Sequence, residues 1–188
     1  MQFLINYNCF NKNSLEIKMQ VGLFYGTNTG NTETVAQMLE EVLKSNGFEV
    51  EVFDMASASV DDMAKFENLI VASPTWNDGE LQDDWDAVFA EYERFDFTGK
   101  KVAFLGLGDQ DGYPDNFLDA IGTLAKPVLK NGGTVVGYWP TDGYDFSESV
   151  GVAENGKFYG LGIDQDNQED MTEARISDWV NQLKSEFA

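Results

Sequence analysis

Leu69-Ile70-Val71-Ala72 is apolar at every position, with no polar residue alternating through it. A strand with one face in water alternates, so a run that does not alternate belongs to a sheet covered on both faces. Val21–Tyr25 and Val102–Leu107 are similar short apolar runs. Between such runs the period changes. Val35, Met38, Leu39, Val42 and Leu43 recur at i, i+3, i+4, i+7 and i+8, which is one apolar helix face, and Gly47 ends it. Alternating strands and helices imply a parallel sheet with helices on both faces. Ligands of such sheets bind beyond the carboxyl ends of the strands, where the winding direction reverses.

The remaining elements follow the same rule. Glu49–Phe53 reads as the second strand, and Ser59-Val60-Asp61-Asp62 as a capped helical turn with acids in its first turn. Leu81, Trp85, Val88, Phe89 and Tyr92 mark a helix after the third strand. Phe117, Leu118, Ile121, Leu124, Ala125, Val128 and Leu129 mark another after the fourth, carrying Pro127 as a local cost. Thr134–Trp139 begins a fifth strand and Phe158–Ile163 is a further short one, with a polar segment between them. Ile176, Trp179, Val180, Leu183 and Phe187 form the face of the last helix. Trp139 and Trp179 are expected in the core.

Composition narrows the chemistry. A chain of 188 residues is expected to form one sizeable domain, placed here at residues 19–188. Residues 1–18 read as a disordered extension, or as sequence ahead of an internal start at Met19. The formal charge is −21, and there is no histidine. That charge argues against nucleic acid and anionic membrane surfaces. It suits a basic protein partner, and a very soluble surface explains it equally. Cys9 is the only cysteine, so an intramolecular disulfide, the usual zinc sites and Ser–His or Cys–His nucleophiles are excluded, and a reducing compartment is expected.

The chemically informative residues lie just after strands. Gly26-Thr27-Asn28-Thr29-Gly30-Asn31-Thr32 joins the first strand to a helix N-terminus. Free backbone N–H groups, the positive end of the helix dipole and neutral hydroxyl and amide donors together suit an anion. Trp76 follows the third strand and Tyr113 the fourth, each in a Gly-, Pro- and Asp-rich turn. A lone loop tryptophan is more often a surface packing residue, and polar strand–helix turns are common. The three loops at one rim instead fit a planar ring system with a phosphate tail. A P-loop would need lysine where Asn31 stands. A dinucleotide fingerprint begun by Gly106 and Gly108 meets Asp111 at its third glycine position. A receiver domain would need its phosphoacceptor aspartate where Ser73 and Pro74 stand.

With these motifs assembled, the sequence resembles the flavodoxins. Thr27 to Thr32 match the T-x-T-G-x-T loop that binds the FMN phosphate in that family, and Pro74–Asn77 and Gly108–Tyr113 match its two flavin-flanking loops. Thr141–Phe146, within the interrupted fifth strand, resembles the insertion of the long-chain type. The resemblance implies a three-layer α/β fold with a five-stranded parallel sheet in the order 2-1-3-4-5. It further implies that Thr27, Asn28, Thr29, Gly30, Asn31 and Thr32 hold the phosphate, and that Trp76 and Tyr113 sandwich the ring. Thr75 and Asn77 would contribute backbone contacts, with Asp78 and Gly79 at the peptide facing flavin N5. Gly108, Asp109 and Asn116 would meet the pyrimidine edge, and Asp166 the ribityl chain. Asp78 departs from the apolar residue common at its position.

The implied function is a low-potential one-electron carrier with non-covalent FMN, substituting for ferredoxin and having no substrate of its own. Acids at the rim, Asp78, Glu80, Asp109, Asp111 and Asp142, would oppose added negative charge on the ring. The implied partners are basic docking faces of ferredoxin–NADP+ reductase, photosystem I or other ferredoxin-type proteins. A monomer is expected, in the cytoplasm or, in a eukaryotic alga, the plastid stroma. The alternative is an FMN-dependent NAD(P)H:quinone reductase of the same fold.

Overall fold

The computed structural model describes residues 19–188. The expected leader, with Cys9, lies outside the described residues. Strand β1 (Gln20–Tyr25) leads to helix α1 (Asn31–Ser45), β2 (Glu49–Asp54) and a 3-10 turn at Val60–Lys65. Strand β3 (Asn68–Pro74), helix α2 (Asp83–Tyr92), β4 (Lys101–Leu107) and α3 (Asp119–Lys130) follow. The chain closes with β5 (Thr134–Val136), β6 (Gly160–Ile163) and α4 (Thr172–Glu186).

All pairings among these strands are parallel, in the order β2-β1-β3-β4-β5. Strand β4 pairs with β5 through Lys101, Val102 and Ala103, then with β6 from Phe104 to Leu107. Thus β5 and β6 share one sheet position, and residues 137–159 are inserted between its halves. This is the interrupted fifth strand expected from the sequence.

The non-alternating strands divide their side chains by parity. Leu23, Ile70, Ala72, Ala103 and Leu105 pack with Val35, Leu39 and Leu43 of α1 and with Ile176, Trp179 and Leu183 of α4. Phe24, Leu69, Val71, Val102 and Phe104 face the other way, onto Trp85 and Tyr92 of α2 and Ile121, Leu124 and Val128 of α3. Neighbouring residues thus feed opposite layers, which is why neither position can be polar.

Local chemistry sets the ends of the elements. Gly47, at φ 90°, donates to Lys44 O while Phe48 donates to Leu43 O, so α1 stops in a Schellman turn. Asp62 accepts hydrogen bonds from Lys65 and from the backbone and hydroxyl of Ser59. These bonds hold its carboxyl down at about 2. Strand β5 stops at Val136, short of Trp139, because Gly137 turns with φ 73° and gives its N–H to Glu186. Trp139 is consequently only partly buried, at the seam of both cores, whereas Trp179 is fully buried with its indole N–H on Gly137 O. Helix α3 begins at Asp119 rather than Phe117, since Leu118 takes a left-handed conformation with φ 61°. The helix runs through buried Pro127 without ending.

The insertion has its own aromatic cluster. Tyr144 meets Phe158 edge-on at 5.3 Å, and Phe146 lies 5.6 Å from Phe117. Arg175 of α4, 7% exposed, places its guanidinium 4.1 Å from the Tyr144 ring centroid. The Tyr144 hydroxyl donates to Gly162 O, and burial pushes its pKa up to about 12.

Two donors converge on the carboxyl end of β3. Ala72 O accepts the backbone N–H of Gly26 and the indole N–H of buried Trp85, at 3.1 and 2.9 Å. Trp85→Phe keeps an aromatic ring but removes the indole donor. It should lower the unfolding free energy by about 1–3 kcal/mol, measured by urea denaturation followed by far-UV circular dichroism.

Candidate ligand site at the sheet edge

Strand β1 sits between β2 and β3, so the winding reverses between β1 and β3. The loops after β1, β3, β4 and β6 meet there around a cavity of about 300 Å³. Its lining includes Thr29, Asn31 and Thr32 from the first loop, and Thr75, Trp76 and Asn77 from the second. Gly108, Asp109, Tyr113 and Asn116 come from the third, and Asp166 from the loop after β6.

In the first loop, Gly30 takes φ 88° as the cap of α1. Its N–H donates to Thr27 Oγ1, and its carbonyl accepts from the backbone and hydroxyl of Thr34. Helix geometry leaves the N–H groups of Asn31, Thr32 and Glu33 without intrahelical acceptors. Thr32 is 1% exposed and its hydroxyl has no partner within the protein. Trp76 Nε1, across the cavity, is likewise buried and unpartnered. Buried polar atoms without partners are uncommon; Arg175 Nη1 is a third among the described residues, whereas Thr32 and Trp76 both line one cavity.

The second loop is a tight bracket. Trp76 exchanges backbone hydrogen bonds with Glu80 in both directions, and Gly79 N–H also reaches Trp76 O. Asn77, at φ 43°, gives its side-chain amide to Glu80 Oε2. The hydroxyl of Thr75 accepts from Ala120 N at the start of α3, so this loop is pinned to the next layer. In the third loop, Asp109 Oδ1 accepts from the backbone of Asp111 and Gly112 and from the Asn167 side chain. These donors, Gly112 foremost, hold its carboxyl below the usual aspartate value. The carboxylate therefore serves its own turn, and the Tyr113 ring is left 53% exposed at the rim.

Five expected residues sit in these loops without lining the cavity. Thr27 caps Gly30, and Asn28 turns outward to Asp83 and Gln82. Gly30 and Gly79 shape their turns, and Asp78 lies exposed on the outer side of the bracket. The structure also adds residues. Pro74, Leu107 and Phe117 supply apolar wall, and Gln165 stands beside Asp166. Gln165 follows a strand as the other site residues do, so the same topological rule extends to it. Buried Gln110, Asp119 and Asp164 support the loops from behind, and no local pattern marks them.

Residues 23–179 match the model of the flavodoxin family. A flavodoxin of Nostoc sp. is 51% identical over 168 residues, spanning 89% of this chain and 97% of its own length. A flavodoxin of Synechocystis sp. is 49% identical, spanning 88% and 96%. In structure, Fusobacterium nucleatum flavodoxin bound to flavin mononucleotide superposes with a TM-score of 0.84 at 38% identity, covering 90% of this chain and 99% of that one. The chain belongs to the flavodoxin family. The three-layer fold and sheet order expected from the resemblance are those observed.

The cavity has no cationic wall. No lysine or arginine is among its lining residues, and the whole chain carries −21. An anion here would meet neutral donors and the α1 dipole. Among the described residues no cluster suits a metal ion, and no helix is long and apolar enough to cross a membrane.

The depressed Asp109 carboxyl has a testable sign. Its folded-state value lies below the unfolded one, so its contribution is present above the ordinary aspartate value. That contribution is lost as pH falls through the folded value. An NMR titration of the Asp109 side-chain carbonyl should give a midpoint below 3.8. The amides of Asp111 and Gly112 should lose exchange protection over that same acidic window.

Proposed function

We propose that this chain is a low-potential one-electron carrier whose working group is non-covalently bound FMN, held at the sheet-edge cavity. The observation that carries the reading is the pair of unpartnered polar atoms, Thr32 Oγ1 and Trp76 Nε1, on residues that line one cavity together with the rings of Tyr113 and Phe117. A phosphate tail would satisfy donors at the α1 end, and a flat ring suits the space between Trp76 and Tyr113. FMN, when bound, supplies the redox chemistry; the protein's residues bind, orient and tune.

In this reading Thr29, Asn31 and Thr32, with the free N–H groups of the first helical turn, hold the phosphate. Thr27, Asn28 and Gly30 keep that loop in shape from outside the cavity. Trp76 and Tyr113 cover the ring faces, and Pro74, Leu107 and Phe117 exclude water around it. Gly108, Asp109 and Asn116, which line the cavity, would offer main-chain contacts to one edge of the ring, and Asp166 would neighbour the chain linking ring and phosphate. Thr75 and Asn77 position the second loop, with Asp78 and Gly79 at its turn.

The acidic rim sets the direction of the potential. One unit charge about 10 Å away, at an effective dielectric constant of about 20, is worth about 1.7 kcal/mol. For a one-electron couple that is about 70 mV, less after salt screening. Exposed Asp78, Glu80, Asp111 and Asp142 therefore oppose reduction of the bound ring. The same charges suit a basic docking face on a ferredoxin-type partner such as ferredoxin–NADP+ reductase or photosystem I. Transfer rates should then fall steeply with ionic strength. A soluble compartment, the cytoplasm or a plastid stroma, fits such a carrier.

The quinone reductase reading is not favoured. A second hollow, lined by Leu129, Tyr138, Ala153, Glu154, Asn155 and Tyr159, contains an acid and no cation for a nicotinamide nucleotide.

Purified protein titrated with FMN should bind one equivalent, turn yellow and lose tryptophan fluorescence. A colourless protein without affinity for FMN would sink the reading. Asp78→Asn should raise the lower of the two one-electron potentials by some tens of millivolts, about 70 mV at most for a charge at 10 Å. Spectroelectrochemistry measures it, and an unchanged or lowered value removes Asp78 from the electrostatic account.

A further inference from the structure

Asp119 is 5% exposed, at the first position of α3, and does not itself line the cavity; its carboxylate is hydrogen-bonded to one lining residue, Asn116. Three separate segments converge on its carboxylate. Oδ1 accepts the backbone N–H of Val150, from the insertion, at 2.5 Å. Oδ2 accepts the side-chain amide of Asn116, from the Tyr113 loop, at 3.1 Å. The Trp76 loop abuts the same oxygen, since a Cβ placed on Gly79 would lie 2.6 Å from Oδ2 and 3.0 Å from Asn116 Nδ2. Only a residue without a side chain lets that loop come so close, and Gly79 also takes φ 94°.

The insertion approaches the Tyr113 loop elsewhere too. Asp145 N donates to Gln110 Oε1, Ser147 N and Glu148 N donate to Pro114 O, and Ser149 Oγ donates to Phe117 O. Segment 145–150 thereby follows residues 110–119 along most of their length. Asp119 is where this brace also meets the Trp76 loop.

We propose that Asp119 is a positioning residue, a buried carboxylate junction that fixes the Trp76 loop and the Tyr113 loop relative to one another and to the insertion. It touches no bound group itself. The proposal rests on the FMN reading only for its consequence, that the gap between the aromatic side chains is preset before a planar ring enters. The geometry requires a carboxylate. Both oxygens accept from N–H donors of different segments, whereas asparagine would present an NH₂ to one of them.

Hydrogen exchange of the cofactor-free protein, followed by mass spectrometry, tests this directly. In Asp119→Asn, segment 109–119 should exchange about tenfold faster, as expected for loss of one buried hydrogen bond, and segment 76–82, which packs against the same carboxylate without bonding to it, should also exchange faster. Peptides from β2 and α4 should be unchanged. The FMN dissociation constant should rise by about tenfold or more. Unchanged exchange in either loop overturns the proposal. So does uniform acceleration through the whole chain, which marks a general loss of stability. Asn116→Leu, close in size but lacking the donor, removes one arm of the junction. It should loosen 109–117 while 145–151 stay protected, and it carries the test if Asp119→Asn fails to fold; unchanged exchange in 109–117 overturns the proposal there. If wild-type protein does not bind FMN, the functional reading falls, and the exchange measurements still decide the junction.

Discussion

A parallel sheet buried on both faces has one place where backbone groups can be offered to a ligand, the carboxyl ends of its strands. The rest of this molecule depends on that constraint. Because Leu69, Ile70, Val71 and Ala72 are all buried, the faces are closed to chemistry. Everything polar and aromatic with a task is displaced into the loops that follow β1, β3, β4 and β6. The convergence on Ala72 O shows how firmly the edge is tied to the layers below. One carbonyl receives the first residue of the loop after β1 and the indole of a core helix.

The second theme is a conflict of charge. In a chain carrying −21, the cavity proposed to hold a phosphate has no cationic lining residue. A lysine would strengthen phosphate binding and also stabilise an electron added to the nearby ring. Neutral donors separate those effects. Backbone N–H groups and the Thr32 hydroxyl act over hydrogen-bond range, while the acidic rim acts over roughly a Debye length of about 8–10 Å. Binding and redox tuning can thus carry opposite electrostatic preferences in one small cavity.

Much of this was legible in the sequence because the signals are local. Period and burial give the strands and helices, and Gly30, Trp76 and Tyr113 stand out in turns where packing does not ask for them. What escaped is what depends on distant pairing. Trp139 reads as a strand residue until Gly137 turns the chain and spends its N–H on Glu186 of the last helix. Phe117 and Leu118 have the helix period, yet Leu118 adopts φ 61°, and α3 starts one residue later. Gln165 was missed although Asp166 beside it was expected, because nothing local to the sequence marks a glutamine as part of the lining.

Asp119 and Asp164 were illegible for a deeper reason: nothing in sequence separates them from the acids that merely solvate the surface. Their surroundings separate them. Asp164 is fully buried and accepts the N–H groups of Gln110, Asp166 and Asn167, together with the Asn167 side chain. Asp119 accepts from Val150 and Asn116. A carboxylate accepts at both oxygens and donates at neither, so it can gather N–H groups from segments with no other reason to meet. Acidic residues thus serve in opposite surroundings, with half-buried Asp109 between the extremes. Exposed ones shape the field that a docking partner and a bound ring would feel. Buried ones, each enclosed by donors, hold the loops on which that field acts, so the geometry of the site and its electrostatics use the same residue type in opposite surroundings.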